Sequence, residues 1–340
     1  MRASPRLWLP ALCLGTVHVV VLLAAFFAPY DYSEQDRSLP FAPPTRIHFV
    51  DAQDRFHFQP FVYRRVEHAG QFRGYEEVTE TRYPIRFFFH GAAYRLGSLL
   101  SSDRHLFGVE MPARISLMGT DAYGRDVFSR LLYGGQISLF AGLLATTLSL
   151  LAGTSLGIMA GFYGTWLDAA IMRLAELFLA LPWLYLLFAI RAFLPLHISP
   201  AQAFLLVIAV IGLVGWARPA RLVRGVALSA RERAYVRAAR GFGASDLYLL
   251  RRHILPQTQG VIFTQAALLI PQYVLAEVTL SFLGLGIGEP VPSWGSMLAS
   301  LQQYHVLVGC WWMFFPGLML IPIFMSYGQL SDVLQERLQS

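Results

Sequence analysis

Residues 230–257 read ARERAYVRAARGFGASDLYLLRRHILPQ, and the stretch divides at its glycines. Residues 231–240 favour helix, with Tyr235, Ala238 and Ala239 making a small, shallow apolar face among arginines. Gly243 supplies a turn. Ser245 can N-cap a second short helix that carries Leu247, Leu250 and Ile254 on one side and stops before Pro256. Two short helices joined by glycine have the form of an element gripped in another protein's groove. A basic loop lying on anionic lipid is the alternative that composition leaves open.

What flanks this stretch is apolar. Of 340 residues 55% are hydrophobic and 14% charged, a balance that places most of the chain in lipid. Six segments approach the roughly 20 apolar residues that a bilayer core requires: residues 7–29, 137–163, 177–194, 201–217, 258–283 and 306–330. The first follows Arg2 and Arg6 and lacks a small-x-small cleavage site, so it reads as an uncleaved anchor. Residues 217–257 hold nine arginines and two acids, whereas residues 30–136 are neutral. Short arginine-rich loops stay cytoplasmic, so this loop sets the orientation, with both termini inside and residues 30–117 outside. Within that outer segment Ile47, Phe49, Phe56, Phe58, Val62 and residues 82–90 alternate or cluster as short strands, with a polar turn at residues 51–55. The expected fold is an all-α polytopic membrane protein of six transmembrane helices with a small β-rich extracytoplasmic insert.

Several chemistries are excluded by composition. All 27 basic residues are arginine, so the chain lacks a lysine-bearing phosphate loop and a Schiff-base amine. Cys13 and Cys310 each lie in apolar sequence, as inert thiols do. No metal ligand set and no nucleic-acid partner are expected. Gly153, Gly157 and Gly161 put a small residue at every fourth position, which lets another helix approach closely. Residues 153–157 also spell the GxSxG of a hydrolase elbow, but that motif needs a strand before it, and here it sits inside a continuous apolar helix. Arg191 and Glu277 lie within predicted spans; each is a candidate pathway residue, or else a side chain that snorkels (Arg191) or bonds a neighbouring helix (Glu277).

At the basic loop the sequence resembles the cytoplasmic EAA signature of ABC-importer permeases. Arg237-Ala238-Ala239 stands before Gly243, and His253-Ile254-Leu255-Pro256 closes the loop; Arg237 replaces the signature glutamate. A second block, Gly119-Thr120-Asp121 through Gly124-Arg125-Asp126 to Gly134, resembles the stretch before the second span of the dipeptide, oligopeptide and nickel branch. Physically, residues 118–136 read as an interfacial helix with Val127, Leu131 and Leu132 toward lipid and Arg125, Asp126 and Arg130 outward. A third block, residues 280–286 followed by Pro292-Ser293-Trp294-Gly295, resembles the outer turn between that branch's last two spans.

The resemblance implies a type I ABC importer (MetI-like) permease fold, with residues 137–340 as a five-helix core. It further implies a bacterial inner-membrane importer working with a second permease, two ATPase subunits and an extracytoplasmic binding protein. Tyr235, Ala238, Ala239, Arg240, Gly243, Ala244 and Asp246 would then couple to an ATPase, and ATP and Mg would bind the partners, this chain holding no cofactor. Peptides are favoured over nickel as cargo on the resemblance. A proton-coupled secondary transporter would want paired buried acids and recognisable halves, which the sequence does not offer.

Overall fold

The computed structural model describes residues 5–67, 74–96, 100–192 and 199–339. In chain order the elements are α1 (Pro5–Leu22), α2 (Ala24–Phe27), β1 (His48–Val50), β2 (Phe56–Glu67), β3 (Tyr75–Pro84), β4 (Arg86–Leu96) and β5 (Leu100–Gly108). There follow α3 (Val127–Tyr163), α4 (Thr165–Ala180), α5 (Trp183–Ala192), α6 (Pro200–Gly215), α7 (Ala217–Arg231), α8 (Ala234–Gly241) and α9 (Asp246–Leu249). A π-helical turn (Leu250–Ile254) leads into α10 (Leu255–Phe282), and α11 (Trp294–Ala299), α12 (Tyr304–Gly309) and α13 (Phe315–Gln339) complete the chain. Two compact units share these elements: Met1–Leu14, Leu139–Leu280 and Ile321–Ser340 form one, and Gly15–Ser138 with Ser281–Leu320 the other.

In the first unit the glycine stripe of α3 is filled by backbone. A Cβ at Gly157 would lie 2.5 Å from the Ala220 carbonyl oxygen, one at Gly153 2.7 Å from Pro219 Cβ, and one at Gly161 2.7 Å from both Ala227 Cβ and the Arg224 carbonyl oxygen. The partner of the stripe is therefore α7. Its four arginines put this segment in the predicted basic loop, but its 3.6-residue period buries Ala220, Val223, Ala227 and Ala230. Arg231 closes the C-terminus of α3, donating from Nη1 to the Gly161 and Phe162 carbonyls at 3.1 and 3.4 Å. Arg224 of α7 donates from Nε and Nη2 to the two carboxylate oxygens of Asp168 of α4, each at 2.5 Å.

Three helices among the described residues are long and apolar enough to cross a membrane: Val127–Tyr163, Asp246–Phe282 and Trp311–Glu336. Two bent pairs pass the same test together, Thr165–Ala180 with Trp183–Ala189 at 91° and Pro200–Gly215 with Ala217–Arg231 at 42°, and Trp8–Leu22 is a shorter apolar helix. The expected span at 177–194 thus falls across a sharp bend. Its cause is Pro182, which holds the preceding Leu181 extended (φ −82°, ψ 136°) and so ends α4. The helix expected to stop before Pro256 instead runs through it. The π-turn just before it carries the Leu255 N–H to the Leu250 carbonyl, five residues back, and the loosened ladder accommodates the proline ring.

In the second unit β1, β2 and β3 form one antiparallel sheet and β4 and β5 another, with Val62 opposite Tyr83 and Phe87 opposite Phe107. Val62, Ile85, Phe107, Val109, Ala113 and Ile115 make a small buried core. The Asp51 carboxylate organises the turn before β2, accepting from the Gln53 and Arg55 N–H groups at 2.9 and 3.0 Å. Its hydrogen bond to His57, then that to Arg55, brings its pKa down to about 2.

The expectation of an interfacial helix over residues 118–136 is corrected in the same unit. Residues 118–126 form a turn, pinned by a bridge between Thr120 and Asp126, and the helix begins only at Val127. Val127, Leu131 and Leu132 are buried, and so are Arg125, Asp126 and Arg130. The amphipathic pattern read as lipid against water is protein core against a buried ion-pair network.

Candidate functional site

Two sites carry the sequence motifs, one in each unit. The first is the protrusion after α7. Val236, Leu249 and Ile254 are buried in one cluster with Ile158 and Phe162 of α3 and Val223, Ala227 and Ala230 of α7, so its base is part of the helical core. The C-terminus of α8 closes as a Schellman motif: the Gly243 N–H bonds the Arg240 carbonyl and the Ala244 N–H the Ala239 carbonyl, each at 3.0 Å. This is why glycine is needed at 243. Its φ is +84°, while a Cβ there would meet nothing within 4 Å, so conformation rather than space selects it. Ser245 then caps α9, its side chain accepting from the Tyr248 N–H.

Of the residues expected to couple, Tyr235 and Ala238 are exposed, whereas Ala239 and Ala244 pack partly into the cluster. Arg240 stays exposed, its guanidinium 5.0 Å from the Phe162 ring centre and 3.6 Å from Asp246. The His253 ring lies 5.5 Å from Tyr235 and 5.7 Å from Tyr248, tying the two short helices together. Three residues absent from the expectation stand out at the surface: Phe242 is 94% exposed, Leu247 63% and Tyr248 51%. An aromatic residue between two glycines in a basic stretch was the readable signal for Phe242.

The second site gathers the other two motif blocks. Asp121 Oδ1 accepts from the Tyr123 and Arg125 N–H groups at 2.8 and 3.1 Å, and Oδ2 from Arg125 Nε at 2.7 Å. The terminal nitrogens of Arg125 then reach Glu289 at 2.6 and 3.2 Å, and Arg130 reaches it at 3.2 Å. Burial would raise the Glu289 pKa, but the Arg125 hydrogen bond and the charge of Arg130 outweigh it and hold the carboxyl below its usual value. Thr120 accepts from the Ala42 N–H at 2.7 Å and, through its carbonyl, from Trp312 Nε1 at 3.0 Å. Gly119 and Gly124, at φ +70° and +71°, make the turns that bring these groups round. Trp294 of the third block is 1% exposed, donating from Nε1 to the Leu131 carbonyl at 2.9 Å and from its backbone to Ser138 Oγ at 3.1 Å. Glu289, a lone acid in a glycine- and proline-rich turn, was not foreseen.

Asp126 caps α3, accepting from the Ser129 N–H and hydroxyl, each at 2.7 Å. Burial pushes its pKa up to about 6 against the pull of those two bonds, and Oδ1 has no hydrogen-bond partner among the described residues. Of the two candidate pathway residues, Glu277 is buried in α10. Arg191 lies in α5, and its side chain falls outside the described residues. Among the described residues no group of three or more His, Cys, Asp or Glu side chains could hold a metal.

Residues 153–340 match the family described as the binding-protein-dependent transport system inner membrane component. The chain belongs to this family. The permease is 37% identical over 228 residues to the dipeptide transport system permease protein DppC of Bacillus subtilis, covering 67% of this chain and 69% of that one. It is 40% identical over 233 residues to a putative peptide transport system permease protein of Brucella suis (67% and 76%). Against the oligopeptide transport system permease protein OppC of Bacillus subtilis it is 34% identical over 250 residues (72% and 76%). Among solved structures it is similar to the MetNI methionine ABC transporter, with a TM-score of 0.46, 17% identity, and coverage of 61% of this chain and 95% of that one.

Proposed function

We propose that this permease is one of two membrane subunits of an ATP-driven importer of di- or oligopeptides and supplies half of the translocation pathway. A second permease, two ATPase subunits and an extracytoplasmic binding protein complete the machine, and ATP and Mg act on the ATPases. Both termini and the protrusion face the cytoplasm, the strands and the Asp121–Glu289 network face outside, and the apolar helices make six crossings once α1 and the bent pairs are counted. The naming of its relatives as dipeptide, oligopeptide and peptide permeases supports the cargo class.

One observation carries the coupling role: a protrusion rigidly seated at its base leaves Phe242 almost wholly in solvent, with Tyr235, Leu247 and Tyr248 around it. Apolar side chains held out on a capped turn are what a groove on another protein takes. ATPase closure around ATP moves the protrusion, and the packed helices above it move with it to switch the pathway.

Phe242→Ser tests this in the reconstituted complex. A central aromatic anchor contributes about 2 kcal/mol or more to docking, so ATP-driven peptide uptake and ATPase co-purification should fall by about tenfold or more. The melting temperature of the isolated permease should not move, because the ring touches little of its own chain. Uptake and co-purification equal to the parent would overturn the assignment.

A further inference from the structure

Both helix breaks of the first unit open onto one cavity of about 360 Å³. Phe178, Trp183 and Leu269 are among its apolar walls, and Arg218, Gln272 and Tyr273 are its polar lining. Tyr273 is pinned by a 3.0 Å hydrogen bond to Ser149, and Gly215 leaves the room its hydroxyl occupies. The side chains of Arg218 and Gln272 are not pinned: neither makes a hydrogen bond or ion pair among the described residues. Two acids of α4 are already committed, Asp168 to Arg224 and Glu176 to Arg173. Arg218 stands exposed at the start of α7 and lines the cavity with its positive charge uncompensated among the described residues, so the cavity favours an anion.

The break at Pro182 adds a second feature of the same sign. α5 starts at Trp183, on the cavity wall, and the first N–H groups of a helix have no acceptor within it. Broken membrane helices present such termini to carboxylates. The cavity has the size of small-molecule sites and holds one or two residues of a peptide rather than a long chain.

We propose that this cavity is a cargo subsite that takes the carboxylate-terminated end of a short peptide, with Arg218 and Gln272 on the carboxylate and Phe178, Trp183 and Leu269 around the last side chain. The inference rests on the peptide-importer reading and adds to it a preference for cargo with a free C-terminus. Substrate transfer through the membrane thus includes a station that reads charge at one end and apolar surface at the other.

The test uses the intact complex of permeases and ATPases in phosphatidylcholine nanodiscs, without binding protein, titrated with alanyl-phenylalanine and with its C-terminal amide. The free acid should bind about tenfold or more tightly than the amide, the discrimination of a charge-assisted hydrogen bond. Arg218→Gln should abolish the preference and Arg218→Lys retain part of it. Gln272→Leu should weaken the acid more than the amide, and it supplies the readout if the Arg218 variants do not assemble. Equal binding of acid and amide by the parent complex, no binding of either, or an unchanged preference in Arg218→Gln would overturn the proposal. So would binding of phosphatidylglycerol, doped into parallel nanodiscs, in place of the peptide and with the same Arg218 dependence. Parallel uptake by the parent complex with its binding protein separates the two readings: ATP-driven uptake without acid discrimination in the titration removes only the subsite, whereas no ATP-driven peptide uptake removes the importer reading.

Discussion

Gly157→Ala is the smallest change that probes how α3 meets α7. The added methyl carbon would stand 2.5 Å from the Ala220 carbonyl oxygen, 3.0 Å from Val223 Cβ and 3.1 Å from Ala220 Cα. Ordinary separations are about 3.5–4.0 Å, so the two helices must part by about 0.5–1 Å. The nearest obstacle is backbone, which has no rotamer to change. Parting is resisted one turn away on either side, where Gly153 and Gly161 approach α7 just as closely. Overpacking of this kind costs about 1–3 kcal/mol, and the β-branched Gly157→Val should cost more. Gly225 of α7 is the control, because a Cβ there meets nothing within 4 Å. Gly225→Ala should instead gain about 0.5–1 kcal/mol from helix propensity. Denaturant titration of the purified permease in detergent, followed by far-ultraviolet circular dichroism, measures both. Equal stability of Gly157→Ala and the parent would refute the backbone-contact reasoning, as would destabilisation of Gly225→Ala to the same extent as Gly157→Ala.

The Asp126 carboxyl, held protonated up to about pH 6 by burial against an ordinary value of 3.8, binds more protons folded than unfolded between those limits. Stability should therefore fall as pH rises from about 4 to about 7, by up to about 3 kcal/mol from this group, and Asp126→Asn, which still caps α3, should flatten that slope in pH-dependent melting. Glu289→Gln removes a counter-charge from two buried arginines while leaving Asp121 in place; since Glu289 is itself half exposed, a loss of about 1–2 kcal/mol is expected. Thermal melts should show Glu289→Asp closer to the parent than Glu289→Gln.

What the sequence revealed and what it hid divide along physical lines. The glycine at 243, the Ser245 cap and the glycine stripe of α3 were legible because each depends on backbone conformation or on a missing side chain within a few residues. Helix α7 was hidden because its arginines advertise a loop, while its buried alanines and valine are intelligible only against α3. The Asp121–Arg125–Glu289 network was hidden for a related reason. Arginines and acids next to an apolar helix read as a solvated face, and only a partner more than 150 residues away turns them inward. Phe242 was visible as a residue but not as an exposed one, since its accessibility follows from how Val236 and Leu249 anchor the helices on either side of it.

The seam between α3 and α7 also constrains how the first unit can deform. Surfaces built from side chains can slide by exchanging rotamers, but glycine laid on main chain has none to exchange, so those two helices travel as a single strut. Bending is then easier where regular hydrogen bonding is already interrupted, at Leu181–Pro182, at Trp216 and at the π-helical turn Leu250–Ile254. The first two of those joints border the Arg218 cavity, so bending at either would alter the volume and the charge geometry of that chamber.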